Sequence, residues 1–327
     1  MSVVTDWLST VDIHVVSIPM RTRFRGITVR EAALLHGPAG WGEFAPFLEY
    51  GVAESAAWLA AAREACTTSW PAGVRDAIPI NTTVPACDVE QARRIVAAGG
   101  AGAVGGTVKV KVAETGQQLA DDIARVEAVR AELGPAGKIR VDANAGWSIQ
   151  EAVAAIRALD RAAGGLEYVE QPCAGLDELA AVRRRVEVPI AADESIRKAE
   201  DPMRVVVAGA ADIAVLKVAP LGGVARALQV AEACGLPCVV SSAVDTSVGL
   251  AAGLALAAAL PELDYACGLG TLSLMSGDIT GDPLIPELGL TAVRRPDPDT
   301  ALLAEFAAPA DRASWWHARI ADCAAAL

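Results

Sequence analysis

The chain has 327 residues, of which 53% are hydrophobic, 4% aromatic and 21% charged, the composition of a globular protein whose core must be filled by Ala, Val and Leu. That length suits one barrel with an attachment or two ordinary domains. Its 28 Lys+Arg against 40 Asp+Glu give a net charge of −12, a sign that repels phosphate backbones and anionic lipid and argues against nucleic-acid or membrane-surface partners. The longest apolar run, 248–260, has 13 residues, short of the roughly 20 needed to span a bilayer, and is expected to be a core helix. The N-terminal stretch MSVVTDWLST has an early Asp6 and no basic, apolar leader, so no signal peptide is expected and the location is read as cytoplasmic.

In chain order, DIHVVSIPM, ITVREAALLHG and GWGEFAPF read as strands joined at Gly and Pro, and 52–65 as an amphipathic helix. From IPINTTV (78–84) onward the pattern changes. Short β-branched runs (TVKVKV, KIRVDAN, LEYVEQP, VPIAADES, DIAVLKV, LPCVVSS and LDYACGLG) alternate with Ala-rich helical stretches at 115–133, 148–163, 175–185, 200–209, 223–234 and 246–260. The polar strand ends Lys111, Asp142, Glu170, Asp193, Lys217, Ser241 and Gly268 are spaced by 31, 28, 23, 24, 24 and 27 residues, each about one strand, one helix and two loops. Continuous alternation predicts a parallel sheet, because parallel strands need a crossover helix. An open doubly wound sheet would usually carry a GxGxxG or P-loop after a strand. Here the Gly-rich run GGAGAVGG (99–106) precedes a strand and reads as a helix-to-strand loop. The expected organisation is an α+β cap at 1–77, a barrel at 78–282, and a proline-bearing tail at 283–327 whose final helix, 311–325, packs back on the cap.

Seven scattered cysteines without a CxxC pair read as reduced, buried hydrophobes. His14, His36 and His317 form no HExxH or Cys/His cluster, which argues against a zinc hydrolase. The chemistry gathers instead at the strand ends. Lys109 and Lys111 are two apart on one strand and share a face, with Val108, Val110 and Val112 on the other; an edge strand with a solvated lysine face is the alternative, weakened by the βα series, whose strands are covered on both sides. Asp142, Glu170 and Asp193 end three successive strands. Any one alone could be a helix cap, but oxygen-only donors at neighbouring strand ends suit a hard cation such as Mg²⁺, with Asn144 and Glu194 beside them as accessory groups. Lys217 ends the next strand, where a snorkelling lysine is the plain alternative; placed across the mouth from Lys111, it would complete a base and a cation around an anion. A lysine acts as a base only when neutral, and nearby positive charge, Lys109 and a divalent ion, favours that form.

The motifs VKVKV, VDANAGW, YVEQP, ADES and VLKVAPLGG, in this order and spacing, resemble the muconate-lactonising subgroup of the enolase superfamily over essentially the whole chain. The resemblance implies a modified TIM barrel, (β/α)₇β, with an α+β capping domain drawn from both ends. It also implies Mg²⁺ (Mn²⁺ able to substitute) bound by Asp142, Glu170 and Asp193, Lys111 as acid/base, Lys109 as its partner and Lys217 as the opposing lysine. Within the subgroup, the cap segment IPMRTRFRGITVREAALLHGPAGWGEFAPF and the endings CVVSSAVDTSVG and GLGTLSLM are most similar to the short, actinobacterial o-succinylbenzoate synthases of menaquinone biosynthesis. Muconate cycloisomerases, N-acylamino acid racemases and dipeptide epimerases share the barrel motifs and stay as alternatives, although GLGTLSLMSGD lacks the DxD pair by which the epimerases hold an amino group. The implied reaction is a syn elimination of water, by a hydro-lyase, from a cyclohexadiene carboxylate. The implied partner is a small dicarboxylate, with no nucleic acid and no membrane. The cap segment 20–26, with Phe24 and Arg25, resembles the loop that covers the site, and Phe47 lies in the second cap loop. For Arg21, Arg23 and Arg25 a solvated basic loop is the alternative. Ser241, Ser242 and the backbone near Gly268 are candidates for the second carboxylate.

Overall fold

The computed structural model describes residues 3–24, 26–101, 106–197 and 203–327. The N-terminal strands β1 (Asp12–Phe24), β2 (Ile27–Gly37) and β3 (Gly40–Phe44) form an antiparallel sheet in the order β1-β2-β3. Helix α1 (Val52–Thr67) packs on β3. It comes so close at Gly42 that a Cβ there would stand 2.2 Å from the Ala62 carbonyl oxygen. The helix Ala310–Ala325 returns from the far end of the chain to bury Trp316, Ile320, Cys323 and Ala324 among Leu35, Phe44, Phe47, Trp58 and Leu59. One apolar cluster thus takes residues from both ends of the sequence.

The second body is a parallel sheet of seven strands, β5 (Thr82–Val84), β6 (Thr107–Lys111), β7 (Lys138–Asp142), β8 (Val169–Glu170), β9 (Ile190–Ala192), β10 (Ile213–Leu216) and β11 (Cys238–Val240), in simple chain order. Helices at Val89–Ala98, Leu119–Leu133, Ile149–Ala163, Leu176–Arg183, Val224–Cys234 and Ser247–Ala259 cover it. Their limits follow local chemistry. Ser148 and Glu151 form a capping box at the start of Ile149–Ala163, and Gly164, left-handed at φ 64°, ends it.

Two expectations need correction. LDYACGLG is not a strand of its own: it closes the sheet through isolated parallel bridges, Ile80 to Cys267 on one side and Ser241 to Gly268 on the other. Hydrogen bonds from Asn81 N to Cys267 O (2.9 Å) and from Gly268 N to Val240 O (2.8 Å) seal both seams, so the barrel is complete although its last member is only a few residues long. IPINTTV is divided: Ala77–Pro79 (β4) pairs antiparallel with Leu290–Ala292 (β12) from the tail, whereas Thr82–Val84 pairs with β6 in the barrel and Ile80 bridges to the closing seam. Pro79 has no N–H for a ladder and suits such an edge. The run 248–260 lies within the buried helix Ser247–Ala259, and among the described residues no helix is long and apolar enough to cross a membrane. Among the described residues no cysteine is in a disulfide. Burial pushes the Cys66 and Cys173 thiols up to about 11 and those of Cys238 and Cys267 up to about 12, which keeps them protonated and inert.

Candidate active site

The alternation of β6 sends Val108 and Val110 outward to the helices and Lys109 and Lys111 inward. Lys111 is the last residue of β6, Asp142 of β7 and Glu170 of β8, while Asp193, Lys217 and Ser241 directly follow β9, β10 and β11. The parallel register pairs Lys111 with Asp142 and Asp142 with Glu170, so the strands deliver their last side chains to the same rim, the face at which barrels of this class carry their chemistry. Phe47, Trp58, Thr83, Lys109, Lys111, Asp142, Asn144, Lys217, Ser241, Ser242, Val244, Gly268 and Thr271 line one opening of about 550 Å³.

The Lys111 ammonium donates to Asp142 Oδ2 and to Asn144 Oδ1 (2.7 Å). Lys109, buried below it, donates to Glu170 Oε2 at 3.2 Å and lies 3.7 Å from Asp142 Oδ2. Across the rim, Lys217 donates to Asp193 Oδ2 at 2.5 Å. Burial opposes the charge on Lys109, but the Glu170 and Asp142 carboxylates outweigh it and hold its pKa above the lysine range. Burial likewise opposes ionisation of Asp142, yet Lys111 and Lys109 hold that carboxyl well below the usual range. Burial and the neighbouring Asp142 charge push Glu170 up to about 7. Asn144 also reaches Glu194 Oε1 at 3.4 Å.

Whether these groups suit a divalent cation can be judged from the donors. The three carboxylates are almost fully buried, offer only oxygen, and include Glu170 Oε1, which has no hydrogen-bond partner. As the side chains stand, ammonium groups lie against the carboxylates, and no group of three acidic, His or Cys side chains among the described residues converges as a ligand cluster. The donor set is that of a hard-cation site, and the buried Glu170 oxygen is the atom such an ion would satisfy.

Other expected residues are placed less directly. Ser242 Oγ donates to Gly268 O (2.9 Å) and lies 2.9 Å from Thr271 Oγ1, and a Cβ on Gly268 would stand 2.6 Å from Ser241 Oγ. These hydroxyls line the opening but are already tied to the closing seam. Arg25 lies outside the described residues, as do the side chains of Arg23 and Phe24. Arg21 is not a free loop cation: its Nε donates to Met275 O at 2.7 Å.

Several site residues were not expected. Gln171, left-handed at φ 40°, accepts from Asp193 N (3.0 Å) and Ser195 N (3.2 Å) and donates to Ser195 Oγ (2.8 Å), fixing the loop that carries Asp193. Trp58, the large aromatic in the Ala-rich helix α1, reaches the opening from the cap; a lone tryptophan on such a helix was the signal available. The turn Ala243–Thr246 and its cap partners Arg30 and Glu43 gave no local signal, because they meet only through the fold.

Residues 15–66 match the family described as Enolase N-terminal domain-like and residues 87–298 the one described as Enolase C-terminal domain-like. The o-succinylbenzoate synthase of Thermobifida fusca is 62% identical over 310 residues, covering 95% of each chain. That of Mycolicibacterium smegmatis is 58% identical, covering 96% of each. Among solved structures, the muconate lactonizing enzyme of Pseudomonas fluorescens superposes with a TM-score of 0.76 at 20% identity, covering 91% of this chain and 98% of its own. The L-Ala-D/L-Glu epimerase of Bacillus subtilis does so with 0.73 at 25%, covering 88% and 96%. Rim geometry and relatives agree: the chain belongs to the enolase superfamily and, within it, to the o-succinylbenzoate synthase family.

Proposed function

We propose that this protein dehydrates 2-succinyl-6-hydroxy-2,4-cyclohexadiene-1-carboxylate to 2-succinylbenzoate, the hydro-lyase step of menaquinone biosynthesis. The observation that carries the reading is the pair of rim lysines, Lys111 and Lys217, facing one opening with three buried carboxylates between their strands. Asp142, Glu170 and Asp193 would hold Mg²⁺, which when bound offsets the negative charge that builds on the substrate's ring carboxylate. Neutral Lys111 takes the proton from the carbon bearing that carboxylate. Lys217 stabilises the resulting anion from the other side, a preorganised electrostatic contribution. The C–O bond to the ring hydroxyl then breaks, Lys111 returns its proton to the departing hydroxide as water, and the electron pair completes the aromatic ring. Lys109, held charged by Glu170 and Asp142, sets a second ammonium on the same strand face as Lys111.

The test is incubation of the protein with the cyclohexadiene substrate and Mg²⁺, following loss of the diene ultraviolet absorbance. Rapid loss supports the reading. No loss, together with exchange of the α-hydrogen of an N-acylamino acid in deuterium oxide, would assign the same lysines to racemisation instead.

A further inference from the structure

Val244 is a β-branched residue held at φ 65°, a left-handed conformation that such side chains strongly disfavour. It lies in the loop after β11, is buried, and lines the catalytic opening together with Phe47. Something must hold it there, and the groups that do so come from the cap. Arg30, on β2 and 3% exposed, donates from Nε to Val244 O at 2.9 Å and from a terminal nitrogen to Ala45 O at 2.5 Å. The same guanidinium lies 4.9 Å from the centre of the Phe47 ring and 4.0 Å from Asp245 Oδ1. From β3, Glu43 Oε2 accepts from Thr246 N (3.0 Å), Thr246 Oγ1 (2.5 Å) and Gly249 N (3.1 Å), pinning the far end of the same turn. One guanidinium therefore ties a cap loop to a barrel loop at the point where both form the pocket wall.

We propose that Arg30 is a positioning residue for substrate selection: by holding Val244 in its left-handed conformation on the same guanidinium that meets the Phe47 ring, it sets the shape of the apolar wall that meets the carbon skeleton of the substrate. Arg30 acts through the wall and leaves the proton chemistry to Lys111 and Lys217. The inference rests on the dehydratase reading above and adds to it which residue fixes the fit. Because the wall contacts parts of the substrate that do not change charge, its loss removes binding shared by ground and transition states, which raises KM and spares kcat.

The test is steady-state kinetics of the wild type, Arg30→Met, Val244→Gly and the double variant with the cyclohexadiene substrate. Glycine adopts positive φ without penalty, so it removes the strain that Arg30 has to hold. Arg30→Met is expected to raise KM about tenfold with kcat within about threefold. In the Val244→Gly background the same change is expected to raise KM by less than about threefold, a coupling that a merely structural role would not produce. An equal KM effect in both backgrounds, or a loss confined to kcat, overturns the proposal. If Arg30→Met does not fold, Arg30→Lys decides: lysine keeps the charge beside Asp245 but cannot reproduce the fork to two carbonyls, and an unchanged KM in that variant overturns the proposal. A wild type without turnover would instead overturn the dehydratase reading itself.

Discussion

Lys111 meets Asp142 and Asn144 at its ammonium, while Lys217, across the rim, meets Asp193. Lys111→Ala and Lys217→Ala are each expected to lower turnover by about 10²–10⁴-fold, the usual contribution of a positioned acid or base. Mg²⁺ binding, measured by calorimetric titration, should not weaken in Lys111→Ala, since Asp142 then loses a competing ammonium. Glu43 offers a second test. Burial and the neighbouring Asp245 push it up to about 8 from an ordinary 4.5, so across that window the native state keeps a proton that the unfolded chain has lost. Stability contributed at this position must fall as pH rises from about 4.5 to 8, by at most about 1.4 kcal/mol per pH unit. Glu43→Gln keeps an acceptor for Thr246 and removes the titration. Urea denaturation at pH 5 and pH 8 should show the wild type losing ground to this variant at the higher pH. The rim lysines and acids could be read from the sequence because each closes a short β-branched run, and strand parity alone decides which way it points. Arg30 and Glu43 could not, because each sits in an unremarkable cap strand and finds its partner some two hundred residues away.

The elements themselves were largely legible. Strand-end periodicity foretold the order of β6 to β11, since one βα unit has a fixed contour, and the helical stretch read at 148–163 starts where Ser148 and Glu151 close a capping box. The eighth strand was overestimated because LDYACGLG has strand-like composition, whereas its neighbours at both seams leave room for bridges at Cys267 and Gly268 only. Cap and barrel are joined by specific contacts between elements. Glu64, near the end of α1, accepts from Val224 N (2.6 Å) and Ala225 N (2.9 Å), capping the barrel helix Val224–Cys234 from outside and meeting the positive end of its dipole. At the opposite side of the cap, Trp316 has no exposed surface and donates to Glu31 at 2.9 Å. Trp316→Ala should cost about 3–5 kcal/mol in urea denaturation, the range for removing a large buried aromatic, with Glu31 left short of one donor.

For the whole molecule, the net charge of −12 coexists with a rim where three ammonium groups and three carboxylates balance. Adding a divalent cation should therefore stabilise the folded state by mass action, about 2.7 kcal/mol at one hundred times the dissociation constant. A rise in melting temperature with Mg²⁺, reversed by a chelator that also stops turnover, is the expected result; a melting temperature indifferent to both would speak against Asp142, Glu170 and Asp193 as the ligands.

The cap's apolar cluster, built from β2, β3 and α1 near one end of the sequence and from Ala310–Ala325 near the other, also dictates an order of assembly. During synthesis every barrel strand has left the ribosome before Trp316 exists to cover Phe44. The nascent protein can thus close its barrel with the rim lysines in place while the cap that shapes the pocket is still half built. Catalytic competence should arrive late and abruptly, when a single helix docks, so that ribosome-bound chains stalled before residue 310 would hold a formed barrel and turn over no substrate.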